Sequence, residues 1–393
     1  MEEAPASMPT ASWADIPVEL AGLVLDRLPA HTDRVLFAAV CPQWRAAAQQ
    51  GPPPMPMLLL PDGTVYSLPG SEPFQFPGCA GYKYSCGTGN WLVFSGKDGC
   101  FLRDPFSKDT VTLPALTRAR MWDVGDESDD EAGHVWVEMN EQEVLAANKI
   151  LFCSPHLIAA IFSFMCDGSS RIAVCQPGGT SWWSVHMDHQ AALFADIVFH
   201  QGKLYALDFK NMLFAVDITV DHSTGNPWIP QIQQVISGLF TGSFIIVPGI
   251  LILNLTYLVE SRGALLLVYR KIYLGLKAVH LDRIEVLEAE RNRFEVYEAD
   301  FGQSRWTKVS TLGDDQVLFL CRRCSRSVSI SHNKMPGDRI FFMENEEEYH
   351  HCYSSKDPSS SCSVYDMRDG KVCTPLPMVS WKPGTVLATW LLP

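Results

Sequence analysis

Short apolar runs joined by turns that contain glycine recur along residues 57–393, and this pattern constrains the fold more than any other feature. Met57–Leu60 and Thr64–Leu68 flank an Asp62-Gly63 turn, which is the sequence of a β-hairpin. Similar units recur about forty to sixty residues apart, as they do in the blades of a β-propeller. About 340 residues at this spacing give about six or seven blades. The further hairpin turns are Asp98-Gly99, Gln201-Gly202 and Asp369-Gly370.

The two ends of this region also bear on its fold. We expect the last strand, Thr385 to Leu391, to pair with the first blade and close a ring. An open β-sandwich or two separate β domains is the alternative that the pattern leaves open. The dipeptide Trp122-Asp123 lacks a Gly-His partner at blade spacing, which argues against a WD40 array. Gly178-Gly179 occurs once rather than in every blade, which argues against a kelch propeller.

Residues 13–50 have a helical pattern instead, and they end before Gly51 and three prolines. A first helix is expected from near Ile16, capped by Asp15, to Pro29. A second follows a cap at Thr32 or Asp33, and a third starts at Pro42 and ends at Gly51. The apolar positions at helical spacing are Leu20, Leu23, Val24 and Leu28 on the first helix, Val35, Leu36, Ala39 and Val40 on the second, and Trp44 and Ala48 on the third.

Three short helices carry more apolar residues than they can enclose, because a chain of about forty residues is marginal as an independent core. An exposed apolar patch on a soluble protein usually marks the surface that a partner covers. The alternative is that the helices pack their apolar residues against the β-rich region of the same chain.

The helical stretch resembles an F-box. It opens with Ile16-Pro17-Val18-Glu19-Leu20, ends its first helix at Leu28-Pro29, and continues with Val40-Cys41 and Trp44-Arg45 in the order and spacing of that family. Ile16 stands where the family usually has leucine, which keeps the apolar contact.

The resemblance implies binding to a Skp-type adaptor and, through it, to the cullin and RING subunits of a ubiquitin ligase. It also implies which positions face the adaptor, and we carry these over as the predicted adaptor-binding residues. They are Ile16, Pro17, Leu20, Leu23, Leu28, Val40 and Trp44.

The β-rich region resembles the uncharacterised region that follows the F-box in a large plant family. Tyr257–Ser261, Leu265–Val268, Arg270 and the final Trp390–Pro393 carry this similarity. It implies a fold but no known ligand.

The predicted fold is mainly β with a small all-α head. We expect four parts along the chain: a disordered tail at 1–12, the F-box at 13–50, a Pro-rich linker at 51–56 and a β-propeller-like recognition domain at 57–393.

Composition sets limits on location and partners. A net charge of −13 argues against a general nucleic-acid binder, since such proteins cluster Lys and Arg on one face. The twelve cysteines are irregularly spaced, and residues 1–12 lack the features of a signal or transit peptide. We therefore expect reduced thiols in a cytoplasmic or nuclear protein.

One uncharged stretch, Val235–Val259, is long enough to span a bilayer. Gly238, Gly242 and Pro248-Gly249 divide it into pieces of strand length, and no basic cluster flanks it. We predict two buried strands around the Pro248-Gly249 turn and no membrane span.

Candidate chemistry is sparse. Cys321 and Cys324 form a single C-x-x-C, and zinc would need two more ligands, for which His332, His350, His351 and Cys352 are candidates. Buried free thiols are the simpler interpretation, so we predict no metal and no cofactor. The acidic runs at 126–131 and 346–348 are predicted to be solvated loops, although the first has the charge to attract a basic segment. Phosphate loops, nucleophile elbows and zinc-protease motifs are absent from the sequence.

The sequence therefore predicts a non-catalytic substrate receptor of a Skp–cullin–F-box ubiquitin ligase, with a target protein that it does not identify. Two alternatives stay open. One is a scaffold that binds the adaptor without delivering a target, and the other is a propeller enzyme with an unrelated helical head.

Overall fold

The computed structural model describes most of the chain. The described residues are 13, 16–28, 30–51, 54–68, 72–96, 99–114, 118–122, 134–138, 147–163, 170–185, 194–239, 244–280, 283–330, 335–343, 360–373, 380–381 and 388–392.

Three helices form an N-terminal head: α1 is Val18–Leu25, α2 is His31–Val40 and α3 is Pro42–Gln50. Pro42 opens α3, where a missing N–H interrupts no helical hydrogen bond, and Gly51 follows its end, both as expected. The predicted cap of α2 is wrong. Its N-cap residue is Ala30, which makes no side-chain cap bond, so α2 begins before Thr32 and Asp33.

The described strands that follow form six sheets, arranged as the six blades of a β-propeller. This confirms the predicted propeller with the lower of the two blade numbers. Blade 1 consists of β1 Met57–Leu59, β2 Thr64–Ser67, β3 Phe74–Gln75 and, from the other end of the chain, β29 Thr389–Leu391. Blade 2 consists of β4 Tyr84–Ser85, β5 Leu92–Gly96, β6 Gly99–Arg103 and β7 Thr110–Leu113.

Blades 3 and 4 occupy the middle of the chain. Blade 3 consists of β8 Arg118–Trp122, β9 His134–Glu138, β10 Ala147–Ser154, β11 Leu157–Ser163, β12 Ser170–Cys175 and β13 Trp182–Val185. Blade 4 consists of β14 Phe194–His200, β15 Lys203–Asp208, β16 Leu213–Val220 and β17 Pro227–Ile236.

Blade 5 contains the longest strands, and blade 6 follows it. Blade 5 consists of β18 Phe244–Val247, β19 Ile250–Ser261, β20 Ala264–His280, β21 Arg283–Asp300 and β22 Arg305–Val309. Blade 6 consists of β23 Gln316–Phe319, β24 Arg326–Ser329, β25 Arg339–Met343, β26 Ser360–Asp366, β27 Lys371–Cys373 and β28 Ser380–Trp381.

The described hairpin turns follow the sequence prediction, and Asp98 of the predicted Asp98-Gly99 turn lies outside the described residues. β1 pairs with β2 across Asp62-Gly63, and Gly63 has a φ of 86°, a left-handed conformation that glycine adopts without steric cost. Gly202 and Gly370 also have positive φ between β14 and β15 and between β26 and β27. Hairpins whose turns require glycine are therefore the part of this fold that is most readily predicted from the sequence.

The stretch 235–259 is only partly as predicted. β18 and β19 pair as antiparallel strands on either side of Pro248-Gly249, with Val247 opposite Ile250. However, Ile246 and Val247 are exposed, so the first of these strands is not buried. Among the described helices, none has the length and apolar character that crossing a membrane requires.

Blade 3 has six described strands rather than the four that are typical of a propeller blade. β8 pairs in parallel with the Trp182–Val185 strand and places the β8–β9 hairpin farther out. The indole of Trp182 is fully buried in the apolar cluster between blades 2 and 3. The hairpin comes before β10 in the chain, so the sequence order gives no indication of this outer position.

Apolar clusters between neighbouring blades form a closed series. A cluster joins each blade to the next, from blades 1 and 2 to blades 5 and 6. A sixth joins blades 6 and 1 and contains Phe319, Phe341 and Trp390. Met55, in the predicted linker, is buried in this last cluster, so the chain is already packed before β1 begins. Burial of these faces supplies most of the driving force for folding.

The ring is closed by the C-terminal strand, as the sequence predicts. β29 pairs antiparallel with β1, with Met57 opposite Leu391 and Leu59 opposite Thr389. Trp390 fixes this pairing, because its indole N–H donates to the carbonyl of Leu320 in blade 6 at 3.0 Å. Its ring also lies edge-on to Phe319, with 5.0 Å between the centroids.

A buried ion pair joins three blades near the axis. The Nζ of Lys149 on β10 lies 2.6 Å from Oδ1 of Asp196 on β14, and both side chains are 4% exposed. The other carboxylate oxygen accepts a hydrogen bond from the amide of Leu258 on β19 at 2.8 Å. Loss of either charge would leave the other buried and unpaired, at a cost of about 3–5 kcal/mol.

We expect Trp390→Ala to lower the free energy of unfolding by about 3–5 kcal/mol, because it leaves a cavity between the first and last blades. Chemical denaturation followed by circular dichroism measures the change. Val372→Ala, at an exposed position on β27, is the control and should change the free energy by no more than about 0.5 kcal/mol. Equal effects of the two substitutions would show that Trp390 does not hold the ring closed.

Candidate functional site

The helical head fills its own core with few residues. Ala21 and Leu25 of α1 pack against Phe37 of α2 and Ala47 of α3, and all four are buried. Trp44 of α3 stacks on Phe37 with 4.4 Å between the ring centroids. α3 packs against both other helices, so it is the central element of the head.

Apolar side chains remain exposed on α1 and α2. Seven of the fourteen large apolar side chains exposed in the described part of the chain lie within residues 13–50. This concentration is far above what isolated surface residues produce, and it identifies the head as the candidate partner-binding surface. We define the apolar surface of the head as Leu20, Leu23 and Val24 on α1 and Val35, Leu36 and Val40 on α2.

The structure divides the seven predicted adaptor-binding residues into two groups. Leu20, Leu23 and Val40 are about half exposed, at 51%, 52% and 54%, and Pro17 is exposed as well. The remaining three, Ile16, Leu28 and Trp44, are half-buried and pack against the core of the head. The second group therefore holds the helices together and contributes at most part of its surface to a partner.

Sequence reasoning did not include Val35 and Leu36 in the site, although Leu36 is 65% exposed. The available signal was the run Val35-Leu36-Phe37, because a helix that buries Phe37 turns the preceding two side chains away from the core. Trp13 was also missed. It is 73% exposed, and its carbonyl accepts a hydrogen bond from the indole of Trp44 at 3.2 Å.

The start of α2 connects the head to the propeller. The amide of His31 donates to Oγ of Ser67 on β2 at 2.9 Å. The imidazole lies edge-on to the ring of Phe106, which follows β6, with 5.8 Å between the centroids. Burial at this contact lowers the pKa of His31, and the nearby Arg34 guanidinium lowers it further. His31 is therefore held in its neutral form where the head meets blades 1 and 2.

The C-x-x-C pair lies inside the propeller. Cys321 and Cys324 are buried thiols, and their sulfurs contact the carbonyls of Ala388 and Trp390 at 3.5 and 3.6 Å. Within the described residues, no group of three or more metal-ligating side chains is present. The four other candidate zinc ligands and both acidic runs lie outside the described residues.

Comparison with known protein families gives a match over most of the propeller. Residues 58–366 match the model described as the KIB1-4 beta-propeller. The matched region runs from β1 to the end of β26 and so reaches all six blades.

Two proteins of Arabidopsis thaliana with F-box names are similar over nearly the whole chain. One is 24% identical over 349 residues, which cover 86% of this chain and 97% of the relative. The other is 21% identical over 385 residues, which cover 93% and 94%. The solved WD40 domain of SCAP from fission yeast aligns at 12% identity over 86% of this chain and 90% of that domain, with a TM-score of 0.23. The resemblance to plant F-box proteins with a C-terminal propeller is confirmed.

The neutral His31 predicts a pH dependence of stability. Its pKa is lower in the folded chain than the unfolded value of about 6.5, so the unfolded state binds the proton more tightly and stability falls as the pH drops below that value. We expect wild type to lose more unfolding free energy than His31→Gln between pH 7.5 and pH 5.5, as measured by chemical denaturation. His222→Gln, at an exposed position, serves as the control and should follow wild type. Identical losses in wild type and His31→Gln would contradict this assignment.

Proposed function

This chain belongs to the KIB1-4 β-propeller family, and on that premise we propose that it is the substrate receptor of a Skp–cullin–F-box ubiquitin ligase. The head binds the Skp-type adaptor, which connects the chain to the cullin and RING subunits. The propeller binds the target protein. Similarity to Arabidopsis relatives with F-box names over nearly their whole length supports both halves of this proposal.

The apolar surface of the head is the observation that carries the proposal. The core cluster of the head contains only four fully buried apolar residues, whereas six large apolar side chains are exposed on α1 and α2. Exposing such side chains costs solvation free energy of about 25 cal/mol per Å² that burial against a partner would recover. An adaptor groove that covers them accounts for this exposure.

The attachment of the head supports the same assignment. The described contacts with the propeller involve His31, the first residue of α2, through Ser67 and Phe106. Val35, Leu36 and Val40 lie later on the same helix and remain exposed. The propeller therefore contacts the start of α2 and leaves the apolar surface of the head accessible.

In this proposal the propeller holds its target near the ligase-bound conjugating enzyme, and the gain in rate comes from proximity. In this proposal the reacting groups belong to the conjugating enzyme and the target, so we propose that the chain is a non-catalytic subunit that needs no cofactor. We place it in the cytoplasm or nucleus, where the thiols that the sequence predicts to be reduced are maintained.

We expect Leu36→Asp and Leu20→Asp each to weaken binding of a purified Skp-type adaptor at least about tenfold, since each buries a charge in an apolar contact. Isothermal titration calorimetry of the full chain with the adaptor measures this change. Ile246→Asp is the matched control, because Ile246 is as exposed as Leu36, at 65%, but lies on blade 5. The affinity of Ile246→Asp for the adaptor should equal that of wild type.

Three results would overturn the proposal. Wild-type chain that does not bind the adaptor would remove the receptor function altogether. Equal affinity of wild type, Leu36→Asp and Leu20→Asp would show that the adaptor binds elsewhere. Loss of binding in Ile246→Asp alone would move the docking surface to the propeller.

A further inference from the structure

A cavity of about 420 Å³ lies at the axis of the propeller. Residues of blades 2 to 6 line it, among them Thr88 after β4, Lys149 on β10, Glu260 on β19 and Arg326 on β24. Its volume is within the range of about 300–1,000 Å³ that small-molecule sites occupy. The cavity is separate from the apolar surface of the head.

The wall of this cavity is rich in hydroxyl groups. Ser261 of blade 5 and Ser327 of blade 6 are hydrogen-bonded to each other at 2.8 Å, and Ser327 also contacts the side chain of Gln316 at 2.9 Å. Ser325 and Thr88 line the cavity as well. A hydroxyl has a single hydrogen to donate, and those of Thr88 and Ser325 already go to the carbonyls of Phe152 and Cys321, at 2.8 Å each. The hydroxyl groups therefore fix the polar wall of the cavity, and its basic side chains decide what it can bind.

Two of the three basic side chains in the wall are already neutralised. Lys149 is paired with Asp196 behind the wall, at 2.6 Å. The guanidinium of Arg262 is hydrogen-bonded to the carboxylate of Asp315. These two cations therefore leave little net positive charge for a ligand.

Arg326 differs from them. Its described hydrogen bond goes to a neutral acceptor, the carbonyl of Gly89, and no carboxylate among the described residues forms an ion pair with it. The acidic side chain in the wall, Glu260, lies beside His200 instead, with 3.6 Å between its Oε2 and the imidazole Nδ1. Among the three basic side chains of the wall, Arg326 is thus the one that forms no ion pair with a described carboxylate.

The cavity is also held in shape before any ligand arrives. Gly87 lies so close to the neighbouring blade that a β-carbon there would be 2.7 Å from Cε of Lys149 and 2.3 Å from Cδ2 of Leu151. The Lys149–Asp196 pair fixes the same part of the wall. Ligand binding to a preformed wall avoids the entropy cost of ordering it.

We propose that the axial cavity binds the phosphate or carboxylate group of an anionic ligand, with Arg326 as its charge partner. A guanidinium suits such groups because its planar donors match their oxygens. The anion has two possible sources, a free small molecule or a side chain of a bound protein. In the second case the site is part of target recognition, and to that extent the inference rests on the proposed function.

The test uses the full chain and two phosphate probes. O-phosphoserine stands for the free ligand, and a seven-residue phosphoserine peptide with glycine and alanine flanks stands for the protein source. The peptide without phosphate is the neutral comparison. Isothermal titration calorimetry at low salt should give saturable binding of at least one phosphorylated probe and none of the neutral peptide. Raising the ionic strength should weaken the binding.

Variants assign the binding to the cavity. Arg326→Gln should weaken it about tenfold or more, because it removes the charge, whereas Arg326→Lys should retain more affinity. Glu260→Gln should strengthen it about twofold to threefold, since it removes a like charge from the wall. Arg305→Gln, at an exposed position on the outer strand of blade 5, is the matched control and should leave the affinity unchanged. Thermal melting of each variant establishes that it is folded.

Several outcomes would overturn the inference. They are the absence of binding by both phosphorylated probes, equal binding of the neutral peptide, and equal affinity of folded Arg326→Gln and wild type. Binding of O-phosphoserine points to a free ligand, and binding of the peptide alone points to a protein side chain. The assay contains no adaptor, so its result is independent of adaptor binding by the head.

Discussion

Ring closure is the constraint on which the rest of the propeller depends. Blade 1 is built from both ends of the chain, because Thr389–Leu391 pairs with Met57–Leu59. A propeller avoids open faces only if its first and last blades meet, and here they meet around Trp390. Residues of blades 2 to 6 line the axial cavity, and the Lys149–Asp196 ion pair crosses the interface between blades 3 and 4. These arrangements require that the ring be closed.

The propeller and the head differ in whether their large apolar side chains are buried. In the propeller, apolar faces are buried between successive blades, and even the guanidinium of Arg270 is enclosed, over the ring of Phe342 and hydrogen-bonded to the carbonyl of Met343 at 2.8 Å. In the head, large apolar side chains such as Leu36 remain exposed on short helices. A surface of this kind is stable in the cell only when something covers it, which is why the proposed function assigns the adaptor to the head.

The sequence predicts what depends on local chemistry. Turns such as Asp62-Gly63 predict the hairpins because their backbone conformation requires glycine, and the F-box order of motifs predicts the head. The residues behind the resemblance of the β-rich region, Tyr257, Arg270 and Trp390, are all buried, which explains why the similarity indicates a fold and no ligand. The outer position of the β8–β9 hairpin and the axial cavity depend on contacts between distant segments, so no local pattern reveals them. For the same reason, the sequence did not separate exposed Leu20 from half-buried Trp44 within one motif.

Hydrogen–deuterium exchange of the full chain with and without a Skp-type adaptor locates the docking surface without any substitution. We expect the adaptor to slow exchange in peptides covering α1 and α2, residues 18–40, and to leave exchange in the strands of blades 3 to 6 unchanged. Protection that falls on the propeller strands while α1 and α2 exchange as before would contradict it.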